Sequence, residues 1–465
     1  ASNKVYDTTV TATLGGTAAV TVLGSDQVTL GGTAAGVFAN KNVGTGKTIT
    51  VSGVTISGTD AGNYNLIQQT GLTANITKAD VSVSGLTASN KVYDTTVTAT
   101  LGGTATVTAL GSDVLSVGGT AAGVFADKNV GTGKTITVSG VTLGGTDAGN
   151  YNLVQQTGLT ADITKADLAV TGLTASNKVY DASTTATLGG TAAVSALSGD
   201  TVTVGGTAVG AFANKNVGSG KAVSVTGVTI GGTDAGNYNL VQQTGLTADI
   251  TAKSITISGT TASNSVYNAG TVATLVTTSS ALTSGASASN DNKYYSVDTV
   301  TLVKTNAVGA FADKNVGTGK AITVSGFTLS GGDAGNYNLV QPTGLTADIT
   351  KADLAVSGLT ASNKVYDTTV TATLGGTAAV TVLGSDQVTL GGTAAGVFAN
   401  KNVGTGKTIT VSGVTISGTD AGNYNLIQQT GLTANITKAD VSVSGLTASN
   451  KVYDTTVTAT LGGTA

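Results

Sequence analysis

The string Ala1-Ser2-Asn3-Lys4-Val5-Tyr6-Asp7 returns from Ala88, Ala175, Ala361 and Ala448, with an altered copy, ASNSVYN, from Ala262. The starts are spaced by 87, 87, 87, 99 and 87 residues, and this period limits the fold more than any other feature. It is too long for one coil of a solenoid, whose repeats run about 20 to 45 residues, and matches one small autonomous domain. Such a unit buries only roughly 60 to 65% of the surface of its unfolded chain. Boundaries are expected where one apolar strand ends and another begins, before Lys78, Lys165, Ala252, Lys351 and Lys438. The chain then divides into a partial repeat 1–77, repeats 78–164 and 165–251, a repeat 252–350, a repeat 351–437 and a partial repeat 438–465. The 252–350 repeat carries a 12-residue insertion, since Tyr267 to Phe311 spans 44 positions where Tyr6 to Phe38 spans 32. Almost no linker remains, so the expected arrangement is beads on a short string. Residues 361–465 repeat residues 1–105 letter for letter, which suggests a duplicated four-repeat block and a window on a longer periodic protein.

Within a repeat the apolar residues keep a period near two, as in Thr48-Ile49-Thr50-Val51 and Val54-Thr55-Ile56. Val, Ile and Thr dominate these runs, and Gly pairs such as Gly15-Gly16 and Gly31-Gly32 punctuate them. That is strand patterning, and no window carries an amphipathic helical stripe. The expectation is an all-β chain with seven or eight short strands per repeat, a tandem array of immunoglobulin-like β-sandwiches. The alternative is a β-grasp-like α+β bead.

Composition removes most chemistry. The chain has no His, Cys, Met or Trp, and every acid is Asp and every base Lys. Without His or Cys the usual zinc, copper and iron ligand sets and the His-based or Cys-based catalytic arrangements are unavailable to it. Charged residues make up 10% of the chain against roughly 25% in ordinary domains. A net charge of −3 offers no basic face for phosphates or anionic lipid, so nucleic acid is not an expected partner. No run of eighteen apolar residues is present, so no membrane span is expected in this segment. Neither an enzymatic activity nor a cofactor is expected.

One motif stands out. Asp60-Ala61-Gly62-Asn63-Tyr64-Asn65-Leu66, DAGNYNL, returns unchanged from Asp147, Asp234, Asp333 and Asp420. In immunoglobulin-like sandwiches a Tyr opening strand F bonds back to the upstream corner and precedes a core position by two residues. On that pattern Tyr64, Tyr151, Tyr238, Tyr337 and Tyr424 are structural corner tyrosines, and Asp60 and Gly62 shape the turn. Residues 63–77 then read as a closing hairpin. A calcium or sugar loop built from Asp60, Asn63 and Asn65 has oxygen ligands but lacks the dense carboxylate spacing of strong calcium loops. The string Asn42-Val43-Gly44-Thr45-Gly46-Lys47 superficially suggests a phosphate loop, but Lys41 stands where that motif needs its first Gly. An amide cross-link from Lys4 or Lys47 to a strand Asn is a further reading, and Asn75-Ile76-Thr77 is a chance sequon. In the insertion, the adjacent Tyr294 and Tyr295 mark a possible lateral contact between neighbouring chains.

Together NKVYD, FADKNVGTGK at Phe125 and Phe311, DAGNYNL and LTADITK resemble the YDG-repeat domains of large secreted, filamentous-haemagglutinin-like bacterial adhesins. The resemblance covers essentially the whole chain. One position departs: the family's name-giving Gly is Thr8, Thr95, Ala182, Ala269 or Thr368 here. The resemblance implies a non-enzymatic stalk or matrix filament at the surface of a Gram-negative bacterium. Its partners would be further repeats of the same chain or identical chains. A multivalent array binding surface glycans is the alternative.

Overall fold

The computed structural model describes residues 1–464. Among them every regular element is a β-strand or a single 3₁₀ turn. The fold is therefore all-β, and the α+β alternative fails for want of a helix to lay on a sheet.

The second repeat shows the plan. Its strands are β1 (Ala79–Ser82), β2 (Ser84–Ala88), β3 (Lys91–Val92), β4 (Thr98–Ala99), β5 (Leu101–Thr106), β6 (Ser116–Phe125), β7 (Gly131–Gly144), β8 (Tyr151–Val154) and β9 (Thr160–Thr164). A five-stranded sheet runs β3-β9-β7-β6-β4, while β2 pairs with β5 and β1 with β8. Two of these pairings are parallel, β9 with β3 and β8 with β1. The expected closing hairpin is not formed, because β8 and β9 lie in different sheets. The connection between them holds Gln155 and Gln156, whose side-chain amides bond the backbone of Val141 and Leu86.

Alternation places side chains as the sequence suggests. Ile136 and Val138 of β7 are buried while Thr135 and Thr137, alternating with them, face out. The long β6–β7 ladder shifts register between Gly119 and Ala122. There Gly119 and Gly140 have φ of 75° and 83°, and a Cβ on either would stand 2.2 Å from a backbone oxygen of the opposite strand. The bulge needs two glycines, and it curls the sheet around its apolar face.

The chain divides into two compact units, Ala1–Ser176 with Thr185–Ala211 and Ala222–Thr247, and Asn177–Thr184 with Phe212–Lys221 and Ala248–Ala465. Within each unit neighbouring repeats are not separate beads. In the first, Tyr6, Phe38 and Ile49 share one buried cluster with Ala79, Val81 and Tyr151 of the next repeat. Tyr93, Phe125 and Ile136 likewise pack with Leu168 and Tyr238. In the second, Tyr267, Phe311 and Ile322 pack with Leu354 and Tyr424. An 87-residue repeat has little interior of its own, and borrowing apolar surface from its neighbour enlarges the core.

Candidate functional site: a buried joint between repeats

DAGNYNL folds locally as a 3₁₀ turn, Ala148–Asn150 in the second repeat, that hands the chain to β8 at Tyr151. The Asp147 carboxylate accepts the Val114 N–H at 3.0 Å. Gly149 and Gly62 have open space around them and no left-handed φ, so the turn does not require glycine there. The Tyr151 hydroxyl accepts the N–H of Leu110, 41 residues upstream, at 3.1 Å and donates to Asp113 Oδ2 at 2.7 Å. Tyr64, Tyr238, Tyr337 and Tyr424 repeat this pattern, donating to Asp26, Asp200, Asp298 and Asp386 at 2.6–2.7 Å. Their hydroxyls accept from the backbone of Leu23, Leu197, Tyr295 and Leu383.

The same aspartate receives the preceding repeat. Asp113 Oδ2 also accepts the Tyr6 hydroxyl at 2.6 Å, and Oδ1 meets Lys41 Nζ at 2.5 Å. Tyr6 and Tyr151 stack edge to face, with ring centroids 5.4 Å apart. Lys41 lies 3.7 Å from Asp147, and Asn150, buried, accepts the Val43 N–H at 2.9 Å. Thus DAGNYNL of one repeat and NKVYD and KNV of the repeat before it meet on one carboxylate. The grouping recurs as Tyr93, Lys128, Asp200 and Tyr238 in the first unit. In the second unit it recurs as Tyr180, Lys215, Asp298 and Tyr337, and as Tyr267, Lys314, Asp386 and Tyr424.

The electrostatics favour the ion pair. Burial by itself pushes the carboxyls of Asp113, Asp200 and Asp386 up, but a lysine ammonium and two tyrosine hydroxyls outweigh it and hold them below the usual range. Hydrogen bonding to the aspartate raises Lys41, Lys128 and Lys314. Burial, and then the adjacent carboxylate, push Tyr151, Tyr238 and Tyr424 up to about 12. Each carboxylate takes three donors, two from the preceding repeat and one from its own. The arrangement is a fastening.

Other expected sites fall into place around it. The Asn-Val-Gly-Thr-Gly-Lys string opens β7 with a bulge, where Gly133 N–H bonds Asp162 at 2.8 Å. Lys47 bonds Asn40 at the exposed surface, and its counterpart Lys134 makes an ion pair with Asp127. The calcium reading placed Asp60, Asn63 and Asn65 around an ion, yet the counterparts Asp147 and Asn150 bond the backbone of Val114 and Val43. Among the described residues no group of three acidic side chains is placed to hold a metal. The insertion folds back on its own repeat, with Ala281–Leu282 pairing on Lys253–Ser258. Tyr295 stacks on Tyr180 at 6.0 Å, inside the joint of its own chain, and Tyr294 is half-buried, bonding Thr283 through its backbone. The insertion also caps Lys253, fully buried, which bonds the Ala288 carbonyl and pairs with Asp291.

Sequence reading found the tyrosines but missed the aspartates at the centre. A signal was present: in the fourth repeat the turn Leu-Gly-Ser-Asp is rewritten as Tyr-Ser-Val-Asp, and only Asp298 survives.

Among protein-family models, that of the YDG domain matches residues 1–71, 77–158, 164–245, 251–344 and 350–431. None of the curated proteins compared matches the chain. Among the described residues no helix is long and apolar enough to cross a membrane.

Proposed function

Because this chain belongs to the YDG domain family, present here in five copies, we propose that it is a non-enzymatic structural segment of a giant secreted bacterial fibre. It serves as an adhesin stalk or a filament of extracellular matrix on the surface of a Gram-negative cell. The observation that carries this reading is the Tyr-Asp-Tyr-Lys joint, four times repeated, which couples each repeat to the next within each unit. A chain meant only to carry independent binding modules has no use for a buried ionic joint between them. Coupled repeats resist local opening better than isolated small domains, which suits a load-bearing segment.

The immunoglobulin-like sandwich remains the proposed class of each repeat. It is supported by the short strand that pairs parallel with the last one, Lys91–Val92 with Ile163–Thr164. The glycan-array alternative finds less support. Exposed aromatics usually form sugar platforms, whereas four of the five DAGNYNL tyrosines are buried. Labelling native cells with an antibody against the repeats and imaging by electron microscopy tests the proposal. Label along surface filaments is the expected result, and label confined to the cell interior would overturn it.

A further inference from the structure

The chain holds a single proline, Pro342 in the fourth repeat. In the second, third and fifth repeats the same position is Gln156, Gln243 or Gln429. Each of these side chains clamps one leucine backbone. The glutamine Oε1 accepts the N–H of Leu86, Leu173 or Leu359 at 2.8 Å, and Nε2 donates to the carbonyl of that same leucine at 2.8–2.9 Å. The fourth repeat keeps the register of the third, since Lys253 pairs with Tyr337 as Ala166 pairs with Tyr238, and this puts Thr260 at the leucine position. Proline carries no amide, so the clamp is lost. Among the described residues nothing bonds the N–H or the carbonyl of Thr260, whose hydroxyl shares a hydrogen bond with that of Ser280 at 2.7 Å.

The core of the fourth repeat compensates for the leucine. Phe327 stands where the other three repeats have Val141, Val228 and Val414, and it is buried in one cluster with Ile257. The neighbouring clamp is kept, with Gln341 bonding the Phe327 N–H at 3.2 Å and its carbonyl at 2.9 Å. What stays open lies where the side chain of the second glutamine runs in the other repeats. A space of about 260 Å³ is found there, lined by Thr256, Ile257, Thr260, Val340, Pro342 and Leu345. The fifth repeat also has a surface space, along Thr408, Thr410, Gln428 and Gln429, but both of its glutamines are engaged in clamps on Val414 and Leu359.

We propose that this space is a binding site for a primary carboxamide on a short apolar stem. The chain supplies the template itself: in three other repeats the group at this position is a carboxamide that accepts from one backbone N–H and donates to the carbonyl of the same residue. A primary amide carries its donor and acceptor on one edge, as the clamp needs, whereas a trans secondary amide points them apart. The Thr260 backbone takes the amide, and Ile257, Val340 and Leu345 take the stem. Pairing two backbone groups that have no partner in the chain is what separates such a ligand from a hydrocarbon of the same shape. The site goes beyond the proposed function and does not depend on it, because it belongs to one repeat and not to the joints.

Saturation-transfer NMR of the 465-residue chain with butyramide tests it, because that method reads weak binding. The expected result is transfer from the protein to butyramide and its loss with N-methylbutyramide, whose trans amide cannot form the clamp. The Pro342→Gln variant refills the position with an amide of the chain's own. It should keep the circular dichroism spectrum, since three repeats fold with glutamine there, and should lose the transfer. Equal transfer to the two amides, or transfer that survives in the variant, overturns the site, and so does its absence from the unaltered chain. The peptide Ala-Gln-Ala distinguishes the sources of the amide. Displacement of butyramide by the peptide supports a glutamine side chain of another protein, and failure to displace it overturns that source in favour of a free aliphatic amide.

Discussion

At the scale of single residues, the aspartate in each joint carries more than either tyrosine. Asp200 has a side chain with no exposed surface and accepts Tyr93, Tyr238 and Lys128 together. Asp200→Ala strips the Tyr93 and Tyr238 hydroxyls of their acceptor and leaves the part-exposed Lys128 ammonium with Asp234 alone at 3.5 Å, and should cost about 2 kcal/mol in urea unfolding. Tyr93→Phe removes one donor from a carboxylate that keeps two, and should cost about 1 kcal/mol. Equal losses for the two variants would refute the aspartate as the centre. A second residue-scale feature lies in the loop after NKVYD, where Thr8, Thr95 and Thr368 hold φ near 70°. A β-branched residue is strained there by about 1–2 kcal/mol. The loop tolerates it because Asp94 accepts both the Thr96 N–H and hydroxyl, and Lys91 ties Asp94 to the Thr96 carbonyl. Thr95→Gly should therefore stabilise the chain by about 0.5–1 kcal/mol, after the extra freedom glycine brings to the unfolded chain. An unfolding midpoint that drops would show that the loop, not the residue, prefers this geometry.

At the scale of elements, the fourth repeat couples a substitution to an insertion. Other repeats read Lys-Ala at the start of their first strand, whereas this one reads Ala252-Lys253 and so turns a lysine into the core. The inserted segment answers with the Ala288 carbonyl and Asp291. Deleting residues 283–292 should cost about 3 kcal/mol by stripping a buried ammonium of its partners. The same deletion in a chain with Ala252→Lys and Lys253→Ala should cost much less, and the difference measured in a double cycle is the coupling. Additive effects would mean that the insertion stabilises by other means. How much was legible in the sequence follows from the same elements. Strand alternation in Thr135-Ile136-Thr137-Val138 could be read directly, because which face a strand residue takes is a local property. Pairing could not, since β8 looks like one arm of a hairpin yet lies parallel to β1. Least legible was the joint. In a periodic chain a contact within a repeat and one to the next repeat have the same letters, so Tyr6 could equally point to Asp26 or to Asp113. Only packing decides, and it places Tyr6 on the residue 107 positions away.

At the scale of the whole molecule, the joints share one chemistry, so pH acts on them in concert. Asp113, Asp200 and Asp386 titrate below the ordinary carboxylate range when folded. A lowered folded value means that their contribution is fully present above about pH 4 and is lost as pH falls through the folded value. Tyr151, Tyr238 and Tyr424 are raised to about 12, so the sign is opposite. Their contribution is present below about pH 10 and is lost as pH climbs through about 12. Raised values at Lys41, Lys128 and Lys314 act in the same alkaline direction. Thermal unfolding should therefore show a plateau between about pH 4 and pH 10 with a fall on each side. The acid limb has other contributors, since Asp94 and Asp367 are also lowered by their lysines and loop hydrogen bonds. The discriminating measurement is the limb of a chain carrying Asp113→Asn, Asp200→Asn and Asp386→Asn. It should start from a lower plateau and fall less steeply in acid, because three carboxylates that must bind protons on unfolding are gone. An acid limb of unchanged slope would place the acid sensitivity in the loops and leave the joints without an electrostatic role.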